Sequence, residues 1–223
     1  MEKVIAIDGP SGVGKSTVSR GLATKLGWTY LDTGAMYRTV THAWLLDGAQ
    51  PDLFRQETWL KNLDPDFNED RVLLNGKDIS KAIRTPEVTA STSLVSADPT
   101  VRRLLTNLQR RIASRRPCIL DGRDIGTVVF PNAFFKVFLT ASPQIRAERR
   151  WLQMGGESSG VSLQSVLNDQ LERDGKDSSR QVAPLRQAED AFVFDTGGHS
   201  QDEVVEALFR EASIRLESLS LIT

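Results

Sequence analysis

The chain has 223 residues, of which 39% are hydrophobic and 26% charged, and a formal net charge of −1. That length suits one α/β domain with a proper core, and near-neutrality excludes a global field that draws nucleic acid or an anionic membrane surface. No apolar run approaches the ~20 residues of a membrane-spanning helix or opens the chain as a signal peptide, while one cysteine, Cys118, and two histidines exclude an internal disulfide and argue against structural zinc; a reducing cytoplasm is expected.

Val4–Ile7 is a continuous apolar run ending at Asp8 and Gly9, the pattern of a buried parallel strand. A glycine-rich turn follows, then a helix with Val18, Leu22 and Leu26 on one face and Gly27 as its C-terminal cap. Tyr30-Leu31 is a short strand, and Asp32-Thr33-Gly34 starts a helix through Met36, Val40 and Trp44. From about 46 to 93 the pattern breaks up around Pro51, Pro65 and Pro86; Val72–Ile79 reads as a hairpin about an Asn-Gly turn. Asp98 and Pro99 open a strong amphipathic helix. Cys118–Leu120, Phe134–Leu139 and Phe192–Asp195 are further strands, with helices opened by Ser142-Pro143, by Ser162 and by a Ser200/Glu203 capping box. Residues 155–160 and 172–180 read as polar, flexible loop. Strands alternating with helices predict a P-loop-type parallel sheet covered by helices on both faces.

The segment Gly9-Pro10-Ser11-Gly12-Val13-Gly14-Lys15-Ser16, continuing to Thr17, fits the phosphate-binding pattern GxxxxGK[ST]. Glycines let backbone N–H groups wrap the phosphates, and the following helix adds its positive end. Lys15 offsets β- and γ-phosphate charge, and the Ser16 hydroxyl is a Mg²⁺ ligand type. A chance glycine-rich turn would lack the apolar strand before and the amphipathic helix after. The pattern therefore implies a nucleoside triphosphate with Mg²⁺. Asp121, ending an apolar strand, is a candidate to hold a metal-bound water. Many strands end in Asp, so this signal is weak alone; Asp8 is an alternative, read here as loop scaffold.

Arginines gather near proposed loops: Arg38, Arg102, Arg123, Arg146, Arg149, Arg150, Arg173, Arg180 and Arg186. Solvated surface charge is the ordinary explanation. Beside a phosphate-binding loop, a second reading applies: forked guanidiniums clamp a phosphorylated acceptor and steady the charge of phosphoryl transfer. Residues 149–180 then act as a lid that excludes water, the competing acceptor.

Three blocks now resemble one family, the bacterial cytidylate kinases among the nucleoside monophosphate kinases: Asp32–Arg38, Asp121–Pro131 and Arg173–Arg180 with Val182–Leu185. The resemblance runs in order over nearly the whole chain, and Asp121–Pro131 is its most specific block. It implies that Tyr37, Arg38, Arg123 and Arg180 hold the acceptor's 5′-phosphate, that Ser93, Arg102 and Asp124 meet cytosine, and that Arg173 and Asp177 lie near the ribose. Thr33 keeps the hydroxyl that some members supply as serine. Lys15, Arg123, Arg173 and Arg180 become the catalytic set. One kinase domain is expected: a core of 1–37, 105–148 and 181–223, a monophosphate-binding insertion at 38–104 and the lid at 149–180. The expected substrates are ATP, CMP and dCMP, the chain a monomer without nucleic-acid or membrane partner.

The base chemistry agrees with that set. A carboxylate such as Asp124 accepts from the cytosine amino group, and a guanidinium such as Arg102 donates to N3 or O2. Uracil would set acceptor against acceptor, and such a mismatch costs roughly 1–3 kcal/mol. A partner for Arg123 or a helix cap is the plain alternative for Asp124. Rival functions are a P-loop kinase acting on UMP, AMP, shikimate or dephospho-coenzyme A, a GTPase, which lacks here an Asn/Thr-Lys-x-Asp guanine-reading segment, and a non-catalytic ATP-binding protein.

Overall fold

The structure is a computed structural model and describes residues 2–68 and 71–220. Along the chain the elements are β1 (Glu2–Asp8), α1 (Lys15–Leu26), β2 (Thr29–Asp32), α2 (Thr33–Leu46), α3 (Glu57–Asn62), β3 (Pro65–Asn68), β4 (Arg71–Leu74), β5 (Lys77–Asp78), α4 (Pro86–Ala97), α5 (Pro99–Ala113), β6 (Cys118–Gly122), β7 (Ala133–Thr140), α6 (Pro143–Gln153), α7 (Leu163–Ser178), β8 (Phe192–Asp195) and α8 (Gln201–Ser220). They divide into two compact units, residues 1–30 with 116–223, and residues 31–115. The sequence drew the insertion at 38–104.

The first unit is built on the parallel sheet. Its strand order is β2-β6-β1-β7-β8, so β1 is central. β1 pairs in parallel with β6 (Ile7 opposite Asp121) and with β7 (Ile7 opposite Val137), and β8 adds beyond β7. Ile5, Ile7, Ile119 and Leu139 are fully buried, which is why these strands read as unbroken apolar runs rather than alternating ones. Leu22 of α1 and Leu208 of α8 belong to the same core. The caps follow the side-chain chemistry: Ser142 accepts from the Ile145 amide, Ser162 from Ser165, and Ser200 exchanges bonds with Glu203 as a reciprocal box. Chain reversal at the end of β1, beside β7, requires a residue without a side chain. A Cβ on Gly9 would stand 2.2 Å from the Leu139 carbonyl oxygen.

The second unit carries a three-stranded antiparallel sheet, β3-β4-β5, outside the parallel one. Asn75 and Gly76 both have positive φ, 51° and 76°, the two left-handed residues of a type I′ turn. Ile83 and Val72 join Ala35 and Ala43 in a separate small core. Helix α5 starts where expected, with Asp98 accepting from the Thr100 and Val101 amides.

Three sequence expectations need correction. Pro86 does not interrupt: it is the first residue of α4, with the Thr85 hydroxyl capping the Val88 amide, because proline's missing N–H costs nothing in a first turn. Residues 155–160 are not open loop. Gly156–Ser159 form a 3-10 turn, and the Trp151 indole donates to the Val161 carbonyl at 2.7 Å. Glu172–Ser178 continue α7 despite Gly175, since a single glycine costs a helix only ~1 kcal/mol.

Candidate active site

Helix α1 begins at Lys15, directly after the loop, and Gly14 caps it in the left-handed region with φ 95°. The Lys15 ammonium is buried and donates to the Gly9 and Pro10 carbonyls at 2.8 and 2.7 Å. Burial, with the Arg123 and Arg173 charges nearby, holds its pKa well below the usual lysine value, against Asp121 and Asp8. The Ser16 hydroxyl donates to Asp121 Oδ2 at 2.8 Å, while the Tyr30 hydroxyl donates to Asp121 Oδ1 at 2.9 Å. An alcohol and a carboxylate held together at the head of the phosphate loop form an all-oxygen donor set, the kind a hard divalent cation such as Mg²⁺ takes. The residues present therefore fit that ion.

Asp8 serves as scaffold. Its two carboxylate oxygens accept from the Ile125 amide at 2.9 Å and the Gly126 amide at 2.7 Å. Those amides open a π-helical turn, residues 125–129, closed by Phe130 N–H donating to the Ile125 carbonyl at 2.7 Å. The turn thus hangs on β1, and with it the preceding Arg123 and Asp124. Burial pushes the Asp8 carboxyl up to about 7, against the two amide bonds that favour its charged form.

Arg123, Asp177 and Arg180 also meet. Arg123 Nε donates to Asp177 Oδ2 at 2.8 Å, and Arg180 pairs with Asp177 Oδ1. Burial raises the Asp177 pKa, but Arg123 and Arg180 outweigh it and leave the carboxyl below the ordinary aspartate range. Asp177 thus gathers two guanidiniums, those of Arg123 and Arg180, on one buried carboxylate.

In the second unit, Asp32 caps α2 by accepting from the Ala35 amide at 2.7 Å and takes ion pairs from Arg38 at 3.1 Å and Arg84 at 3.2 Å. Arg102 is buried, donates to the Ser96 carbonyl at 3.0 Å and lies over the Tyr37 ring, 5.3 Å from its centroid. Thr33 is buried in the first turn of α2, and Ser93 is half-buried on α4.

The cytidylate kinase family model matches residues 5–213. The chain belongs to the cytidylate kinase family. It is 46% identical to the cytidylate kinase of Carboxydothermus hydrogenoformans, over 92% of this chain and 94% of that one. It is 48% identical to the bifunctional pantoate ligase/cytidylate kinase of Prochlorococcus marinus strain MIT 9303, over 93% of this chain but 44% of that protein; the chain thus spans less than half the length of such bifunctional relatives. Among solved structures, a gluconokinase from Sinorhizobium meliloti 1021 shares the fold, with a TM-score of 0.53 at 18% identity, covering 99% of this chain and 97% of that one.

For a member of the cytidylate kinase family, the first unit brings Lys15, Ser16 and Asp121 together, and separately Arg123, Asp177 and Arg180; the second brings Arg102 to Tyr37 and Arg38 to Asp32. Sequence reasoning missed Tyr30, Arg84 and Ser96 as partners of these groups. Tyr30 could not be found that way, because its bond to Asp121 spans 91 residues. Arg84 had a weak signal, being one more arginine near a proposed loop. No helix among the described residues is long and apolar enough to cross a membrane.

Proposed function

We propose that the chain transfers the γ-phosphate of ATP to CMP, and to dCMP, giving CDP or dCDP and ADP. The observation that carries this reading is the family match across residues 5–213, joined to a phosphate loop and a separate arginine pair on Asp177. A protein that only sensed ATP would not need the second anion clamp.

In this reading Gly9–Thr17 wrap the triphosphate, and Lys15 faces the β- and γ-phosphates. Ser16 and, through water, Asp121 would hold Mg²⁺, which would supply compensation of the negative charge on the phosphates. Tyr37, Arg38, Arg123 and Arg180 grip the acceptor phosphate, while Thr33 keeps a hydroxyl beside Asp32. Ser93, Arg102 and Asp124 read the base, and Arg173 and Asp177 the ribose. An acceptor phosphate oxygen attacks the γ-phosphorus in line as the bond to ADP breaks. The acceptor is already ionised at neutral pH, so no general base is assigned. Positioning and charge compensation lower the barrier. The 149–180 lid is the part proposed to close, with 38–104 as the monophosphate-binding insertion, in a cytoplasmic monomer.

The test is a coupled ADP-release assay with ATP, Mg²⁺ and CMP, dCMP, UMP, AMP or GMP. Release driven mainly by CMP and dCMP is expected. Preference for UMP or AMP would reassign the base-reading residues, and no stimulation by any monophosphate would sink the reading.

A further inference from the structure

Helix α7 does more than carry the ribose and phosphate residues. Its residues Gln170, Asp174 and Asp177 are spaced by four and three, so they share one helix face. The Asp177 position holds Arg123 and Arg180. The Asp174 carboxylate accepts from the backbone amide of Ser11, inside the phosphate loop, at 3.0 Å. Arg146 of α6 pairs with the other Asp174 oxygen, and its Nη1 donates to the Ser11 carbonyl at 2.8 Å. Its Nε is tied down on the Ala141 carbonyl at 3.1 Å. The Ser11 backbone is therefore gripped at both its N–H and its C=O by a single ion pair, whose side chains are 5% and 15% exposed.

The next residue is walled in by the same helices. Gly12 has φ 76°, and a Cβ there would stand 2.6 Å from Gln170 Nε2 and 3.2 Å from the Arg146 carbonyl oxygen. Gln170 Nε2 in turn donates to that carbonyl at 3.3 Å. Ser11 and Gly12 are thus held in shape by α6 and α7 as well as by the loop's own glycines.

We infer that Asp174, acting through Arg146 and the Ser11 peptide, is a positioning residue for the donor nucleotide: it sets the phosphate loop's curvature and so tunes ATP affinity. The inference rests on the proposed binding of ATP at Gly9–Thr17. A buried ion pair is costly to break from one side, because the surviving charge stays desolvated. Loss of the Asp174 charge therefore lets Arg146 and Ser11 relax, and the loop's amides lose their alignment on the phosphates. The acceptor clamp at Asp177, one turn further on, keeps its own partners.

The experiment is calorimetric titration of ATP with Mg²⁺, and of CMP, onto the whole chain and its Asp174→Asn and Asp174→Glu variants, with melting temperatures alongside. Asp174→Asn is expected to raise the ATP Kd about tenfold, the size of one lost charge-assisted hydrogen bond, and to leave the CMP Kd within about twofold. Asp174→Glu, which keeps the charge, should recover part of the loss. If Asp174→Asn does not fold, Arg146→Lys removes the guanidinium whose Nη1 reaches both Ser11 and Asp174 and whose Nε is fixed on the Ala141 carbonyl, and should give the same ATP-selective loss. Unchanged or tighter ATP binding, or an equal loss for both nucleotides, overturns the inference. Failure of the unsubstituted chain to bind ATP would instead overturn the proposed function.

Discussion

The phosphate loop and the α2–α4–α5 region build their recognition groups from different materials. Gly9–Thr17 is a backbone device: nine consecutive residues whose turn, glycines and following helix are written side by side. In the second unit the groups are side chains from separate helices, such as Arg102 of α5 stacked on Tyr37 of α2 and bonded to the end of α4 at Ser96. A contiguous device survives translation into a motif. A dispersed one is visible only as residue types at wide intervals. The difference also bears on robustness, because the loop and its flank are braced by the carboxylates of Asp8, Asp121 and Asp174.

The sharpest way to break the comparison is Lys15→Met. If the loop is a charge-compensating cradle, kcat should fall at least about a thousandfold, ~4 kcal/mol in barrier, with CMP affinity little changed. Steady-state kinetics that stay within tenfold of the unsubstituted chain would make Lys15 a loop staple for the Gly9 and Pro10 carbonyls only.

A second test concerns the bracing of the loop's flank. The Asp8 carboxyl is raised to about 7 when folded, chiefly by burial, against 3.8 for an unperturbed aspartate. A raised acid binds its proton more tightly when folded, so its contribution to stability is full below about 3.8 and is lost as pH rises through about 7. The span corresponds to roughly 4 kcal/mol at most. Urea unfolding from pH 4 to 8 should therefore show a downward slope that Asp8→Asn removes. Matching slopes in the two proteins would mean that the Ile125 and Gly126 amides hold Asp8 ionised throughout.

The smallest effect is expected in the dispersed region. Arg102→Lys keeps the charge but loses the planar fork and its stacking on Tyr37. The KM for CMP should rise about ten- to hundredfold, ~1–3 kcal/mol, with ATP affinity unchanged. An unaltered KM for CMP would place base reading elsewhere.

Most strands and helix starts were legible because their causes are local. Apolar runs set β1, β6 and β7, and Asp98, Ser142, Ser162 and Ser200 mark helix starts through bonds reaching only two or three residues. Pro86 misled because the same residue that breaks a helix interior also opens a first turn, and only the Thr85 cap distinguishes the two. Residues 172–178 misled because a polar, glycine-containing stretch has no apolar stripe of its own, whereas Asp174 and Asp177 stabilise α7 through buried ion pairs with other segments.

By itself the sequence determined the phosphate loop, the alternation of strand and helix and the family resemblance, since each depends on neighbours along the chain. The tertiary structure decided which carboxylate holds which partner. The Tyr30–Asp121, Arg123–Asp177 and Ser11–Asp174 bonds join residues 91, 54 and 163 positions apart. Such partners are chosen by strand order and helix packing, where burial makes each unpaired charge too costly to leave, and no local pattern carries that information.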